Sequence, residues 1–161
     1  MDTLIATELN PALAPVTFLL GTWRGEGEGQ YPTIKAFRYR EEMRFTHNGK
    51  AFLIYSQRTE AMDSGQPLHG ETGYLRVVGE GQVEFVIAQP IGFAEISLGR
   101  IDGQRIELES SSVSRTPTAK PVTSIHRSIW LDGETLRYEL EMAMEGVPLA
   151  QHLLAWFRRA D

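Results

Sequence analysis

The chain has 161 residues, a net charge of −5 at neutral pH and no cysteine. These values fit one domain, spanning 1–161, with a core of its own. They argue against a nucleic-acid binder and exclude disulfides, thiolate metal sites and a cysteine nucleophile. Residues 1–20 lack a basic start followed by an apolar run of signal length, and no segment has the apolar length of a membrane span, so the expectation is a cytoplasmic protein with no membrane partner.

In chain order, Asn10-Pro11-Ala12-Leu13-Ala14-Pro15 predicts a short helical or 3₁₀ plug. Asn10 suits the cap and Pro11 the first helical position. The run from Leu20 to Ile34 follows, in which Gly21, Gly25, Gly27 and Gly29 alternate with other residues and Trp23 shares their parity. Alternation puts these residues on one face of a strand. Glycine at such positions predicts strong bending or a close approach of backbone, with Trp23 at the base.

Beyond this run every segment reads as strand. The predicted strands are 19–30, 36–47, 51–60, 69–78, 82–89, 92–100, 104–112, 118–131, 134–144 and 149–159. Asn48-Gly49, Asp102-Gly103 and Asp132-Gly133 are hairpin signals, because both central residues tolerate positive φ. The strand 134–144 has the clearest period: Leu136, Tyr138, Leu140, Met142 and Met144 share one face, and Arg137, Glu139 and Glu141 the other. Ten short strands without a helix-length crossover predict an all-β fold, a ten-stranded antiparallel up-and-down barrel behind a short N-terminal helical turn. Small closed barrels hold one small ligand inside.

Among the four histidines, His47 lies in a turn and His126 alternates with Ser124 and Ser128, so both read as solvated. His69 opens a strand and would line a barrel mouth. His152 sits in Leu149-Ala150-Gln151-His152-Leu153-Leu154-Ala155-Trp156-Phe157, and strict alternation gives it a face with Ala150, Leu154 and Trp156. Desolvation favours neutral imidazole, the metal-ligating form. From the residues alone, His152 is either a core histidine bonded to a backbone carbonyl or a ligand. No zinc spacing, nucleophile elbow or P-loop is present.

Gly21-Thr22-Trp23-Arg24-Gly25-Glu26-Gly27, followed by Tyr31-Pro32-Thr33-Ile34, resembles the Gly-x-Trp-x-Gly-x-Gly signature of the nitrobindins. Further segments resemble that family in order: Gly49–Tyr55, Pro67-Leu68-His69-Gly70-Glu71-Thr72-Gly73-Tyr74-Leu75-Arg76, Thr118–Val122 and Pro148–Leu153. The resemblance implies a barrel similar to fatty-acid-binding proteins and lipocalins, holding one haem b per chain. It implies His152 as the axial iron ligand, His69 on the open side, and Gln89, Met142, Thr33 and Lys120 around the haem. Gly21, Trp23, Gly25 and Gly27 are then a structural motif, and Arg158 or Arg159 is expected to pack on Trp23. The implied activity is binding of nitric oxide and isomerisation of peroxynitrite to nitrate, by a monomer or homodimer. The alternative is a non-enzymatic carrier of a fatty acid or another apolar ligand in the same barrel.

Overall fold

The computed structural model describes residues 7–161. Asn10 caps a 3₁₀ helix, Pro11–Leu19, with its side chain accepting from Ala12 N at 3.0 Å. Ten strands follow: β1 (Gly21–Tyr31), β2 (Ile34–Thr46), β3 (Phe52–Ala61), β4 (Pro67–Gly79), β5 (Gln82–Gln89), β6 (Phe93–Asp102), β7 (Arg105–Arg115), β8 (Val122–Asp132), β9 (Thr135–Met144) and β10 (Val147–Arg159). Each pairs antiparallel with its sequence neighbours, and β10 returns to β1, so the sheet closes. The up-and-down barrel expected from turn spacing is the observed fold.

Closure removes exposed sheet edges and leaves two ends to cover. The 3₁₀ helix covers one, burying Leu13, Val16, Phe18 and Leu19. Trp23 completes that floor: its indole N–H donates to Leu19 O at 2.8 Å, and the Arg159 guanidinium lies 4.3 Å from the ring centroid. The apolar core continues inside the barrel through Met43, Phe45, Leu53, Leu75 and Phe85.

The glycine face of β1 admits neighbours rather than breaking the sheet. β1 keeps register with both flanking strands from Trp23 to Gly29, and its register shift with β2 falls only between Gly29 and Tyr31. A Cβ on Gly25 would lie 1.9 Å from the Trp156 carbonyl oxygen, and one on Gly27 would lie 2.3 Å from the Tyr39 ring. The space a side chain would need on β1 is thus taken by backbone and by an aromatic ring of β2.

One boundary moved. The strand predicted over 118–131 begins at Val122, because Pro117 and Pro121 fall in the connection and the residue before a proline is kept from continuing regular pairing. The preceding strand runs on to Arg115 instead. β7 and β8 pair only from Arg105 to Glu109 on β7, so the two strands part toward the open end of the barrel.

Candidate functional site

Opposite the 3₁₀ plug, the barrel encloses a cavity of about 720 Å³. Phe37, Ile91, Phe93, Leu140, Met142 and Leu153 supply apolar wall, and Arg38 and Lys120 add cationic groups. Arg38 is exposed and pairs with Glu26 at 3.1 Å. Lys120 stands on the 116–121 connection, where the early end of regular strand lets a loop reach the cavity.

His152 lines this cavity, although alternation along β10 puts it out of phase. Its inward neighbours are Leu153, Ala155 and Phe157, of which Ala155 and Phe157 are buried. The face expected for it, with Leu154 and Trp156, is therefore corrected. The pairing of β10 with β9 slips between Gln151 and Leu153, leaving His152 as the extra residue of a bulge. A bulge turns a side chain that strict alternation would send outward. Nδ1 then lies 2.9 Å from Gln30 O, and the Tyr31 ring packs edge-on at 5.3 Å between centroids. The carbonyl has no proton to donate, so Nδ1–H is the donor and Nε2 carries the lone pair. Burial lowers the His152 pKa, the hydrogen bond to Gln30 opposes that, and the fields of Lys120 and His69 add to the lowering.

Four other predicted residues, His69, Gln89, Lys120 and Met142, line the same cavity. Thr33 does not. It is exposed in the turn joining β1 and β2, next to Ile34, which does line the cavity. The contact at the haem edge expected of Thr33 rests on the resemblance, and its place beside Ile34 puts it next to the cavity lining. His126 is a surface residue, 3.3 Å from Glu109, and the His47 Nδ1 accepts from Gly49 N at 3.3 Å, in keeping with their solvated reading.

Sequence reasoning missed the polar belt beneath the cavity. Arg127 is 1 % exposed and is engaged by two carboxylates. Its Nη1 and Nη2 donate to Glu71 at 2.7 and 3.3 Å. Nε donates to Glu95 at 3.1 Å, and Nη2 also pairs with Glu95. Tyr138 OH accepts from Nη1 at 2.9 Å. Tyr55 OH donates to Glu71 at 2.7 Å, and Ser97 and Gln89 donate to Glu95 at 2.8 and 3.1 Å. Burial opposes ionisation of Glu71, but Arg127 and the His69 hydrogen bond outweigh it and hold this carboxyl well below the usual range.

Glu41 is the opposite case. Its carboxyl accepts from Gln57 Nε2 at 2.6 Å, but burial pushes its pKa up to about 8, so it carries a proton at neutral pH. The signal for the belt was present in the sequence. Glu41, Glu95 and Arg127 each share strand parity with apolar inward residues: Tyr39 and Met43, Phe93, and Ile125 and Ile129. A charge on an apolar parity must be buried with partners or break the pattern.

Residues 12–159 match the model of the THAP4-like, heme-binding β-barrel domain. The chain belongs to this family. It is 49 % identical over 156 residues to peroxynitrite isomerase 2 of Mycobacterium marinum, covering 94 % of this chain and 97 % of that one. It is 49 % identical over 159 residues to peroxynitrite isomerase 1 of Mycobacterium tuberculosis, with the same two coverages. The crystal structure of Rv2717c from M. tuberculosis superposes with a TM-score of 0.89 at 48 % identity, covering 96 % of this chain and all of that one. The resemblance to nitrobindins drawn from the ordered motifs is thereby borne out, and haem is the cofactor of the domain.

The residues present fit that group. A neutral imidazole with Nδ1 tied to a carbonyl leaves Nε2 free, which is how a protein fixes a histidine for a metal. The walls suit a flat macrocycle, and Arg38 and Lys120 suit its carboxylates. Among the described residues no helix is long and apolar enough to cross a membrane.

Proposed function

We propose that this chain, as one barrel domain over 1–161, binds one haem b through His152 and isomerises peroxynitrite to nitrate, with nitric oxide as a second ligand of the same open side. The single observation that carries the reading is the setting of His152: a bulged residue in the cavity wall, neutral through burial, with Nδ1 held 2.9 Å from Gln30 O. When bound, haem supplies the iron at which these nitrogen oxides bind and rearrange.

The protein's residues do the remaining work. Phe37, Phe93, Leu140 and Met142 bound the space and keep bulk water from the face that reacts. Lys120 and Arg38 hold carboxylates and draw anions toward the mouth. His69 and Gln89 offer polar atoms on the cavity wall.

A carrier of fatty acids is the weaker reading, and the belt is the reason. An acid bound head-inward needs an unsatisfied buried cation. Arg127, the fully buried cation among the described residues, already faces two carboxylates, Glu71 and Glu95. A further carboxylate there would meet net negative charge in a low dielectric.

Haemin titration with spectroscopic detection tests the assignment. The native protein should develop a Soret band that is weakened in His152→Ala, and should accelerate peroxynitrite decay to nitrate in stopped-flow mixing. Equal haemin affinity and an identical axial-ligand spectrum in the variant would overturn the assignment of His152. Tight binding of a long-chain fatty acid without a Soret band on haemin addition would favour the carrier.

A further inference from the structure

His69 and Glu71 are two residues apart on β4, so both side chains point into the barrel. His69 Nε2 lies 3.4 Å from Glu71 Oε2. The main chain at His69 is anchored as well: it pairs with Thr59, and the register with β3 slips just beyond, between Thr59 and Glu60. Glu71 cannot swing away, because Arg127 grips both its oxygens and Tyr55 donates to one of them.

The chemistry of this contact has one polarity. Glu71 is ionised, held so by Arg127, and a carboxylate has no hydrogen to give. In the neutral ring, Nε2 must therefore bear the hydrogen and Nδ1 the lone pair. His152 has the reverse arrangement: Nδ1–H is spent on Gln30 and Nε2 is free. Two histidines line one cavity, but the imidazole nitrogen that reaches furthest from the backbone is available on only one of them.

We propose that Glu71 is a positioning residue that holds His69 in its Nε2–H form and keeps that nitrogen from the metal, leaving the open side of the cavity to incoming ligands. The proposal rests on the haem-binding reading. It makes Arg127 an indirect contributor, since its guanidinium grips both oxygens of the carboxylate that holds the ring. It also explains a buried ion pair placed beneath a ligand cavity: the belt supports a second wall residue through a fixed anion. Carboxylate–histidine contacts of this kind set tautomer and orientation in metal sites generally.

The first test needs no variant and no haem. Long-range ¹H–¹⁵N NMR of the haem-free protein should find neutral His69 in the Nε2–H form and His152 in the Nδ1–H form. An Nδ1–H form of His69 would overturn the proposal whatever the cofactor. The second test uses protein reconstituted with haemin. Native protein should give a high-spin ferric spectrum. Glu71→Gln, with its fold checked by circular dichroism, should gain a low-spin bis-imidazole component, and adding His69→Leu should remove it. Cyanide affinity should fall about tenfold in the Glu71→Gln protein, as a second imidazole competes for the open side.

Glu71→Asp keeps a charge facing Arg127 while drawing the carboxylate back by one methylene. It should show the same spectral change and serves where Glu71→Gln does not fold. Tyr55→Phe removes a different partner of Glu71 and should leave the spectrum as in the parent. A bis-imidazole spectrum in the native protein, or high-spin spectra in both Glu71 variants, would refute the positioning role. Failure of the native protein to bind haemin would instead refute the function proposed above, and the NMR result would still report on Glu71 and His69.

Discussion

Replacing Glu41 with glutamine should change how stability depends on pH more than stability itself. Glu41 is 4 % exposed, and burial, with the nearby Glu71 carboxylate, raises its pKa from 4.5 to about 8 against the lowering effects of Gln57 and Arg127. In the unfolded chain this carboxyl loses its proton near 4.5, whereas the folded protein keeps it to about 8. The folded state therefore binds more protons than the unfolded state between those values. Stability is greatest below the unfolded pKa and falls as pH rises through the folded one. Integrated from pH 5 to pH 9, this single group removes about 4 kcal/mol.

Glutamine is a neutral isostere whose oxygen can still accept from Gln57, so the loss should vanish in Glu41→Gln. Other titrating groups are common to both proteins and cancel in the difference. Urea unfolding of both proteins at pH 5, 7 and 9 gives the measurement. Near-equality at pH 5, and an advantage of the variant that grows by several kcal/mol toward pH 9, is the expected result. Parallel stability curves across that range would show that Glu41 titrates normally and that the reasoning from its burial is wrong.

His152→Ala should leave the far-ultraviolet circular dichroism of the barrel intact and weaken haemin binding about a hundredfold, about 3 kcal/mol, in a spectroscopic titration. Arg127→Met should cost about 3–5 kcal/mol in urea melts at pH 7, because it strands Glu71 and Glu95 as buried anions. An additional Glu71→Gln change should recover part of that loss. Gly25→Val should cost about 3 kcal/mol or prevent folding, since its Cβ meets the Trp156 carbonyl at 1.9 Å and backbone cannot step aside. Gly27→Val should cost less, because what it meets is the Tyr39 ring, a side chain that can rotate; equal stability of both variants with the parent would contradict the packing described for β1.

Period-two patterning, turn residues and the lack of helical crossovers were enough to give ten antiparallel strands closed into a barrel, because each of these signals is local to a strand or a hairpin. The ordered motifs from Gly21 to Leu153 likewise pointed to the family, and with it to His152, His69, Gln89, Lys120 and Met142 around one cavity. What alternation could not give was the direction of His152. Its side chain turns inward because β10 slips one residue against β9, and a slip belongs to two strands together, not to the residues of one. The same holds for the belt. Glu71, Glu95 and Arg127 lie on β4, β6 and β8, and no spacing along the chain announces that closure will bring them together. Thr33 was singled out by motif alone, and it stands in the exposed β1–β2 turn beside Ile34, which lines the cavity. Local periodicity determined the wall of this barrel; which polar atoms meet inside it, and which nitrogen of each histidine is free, was decided by register and closure.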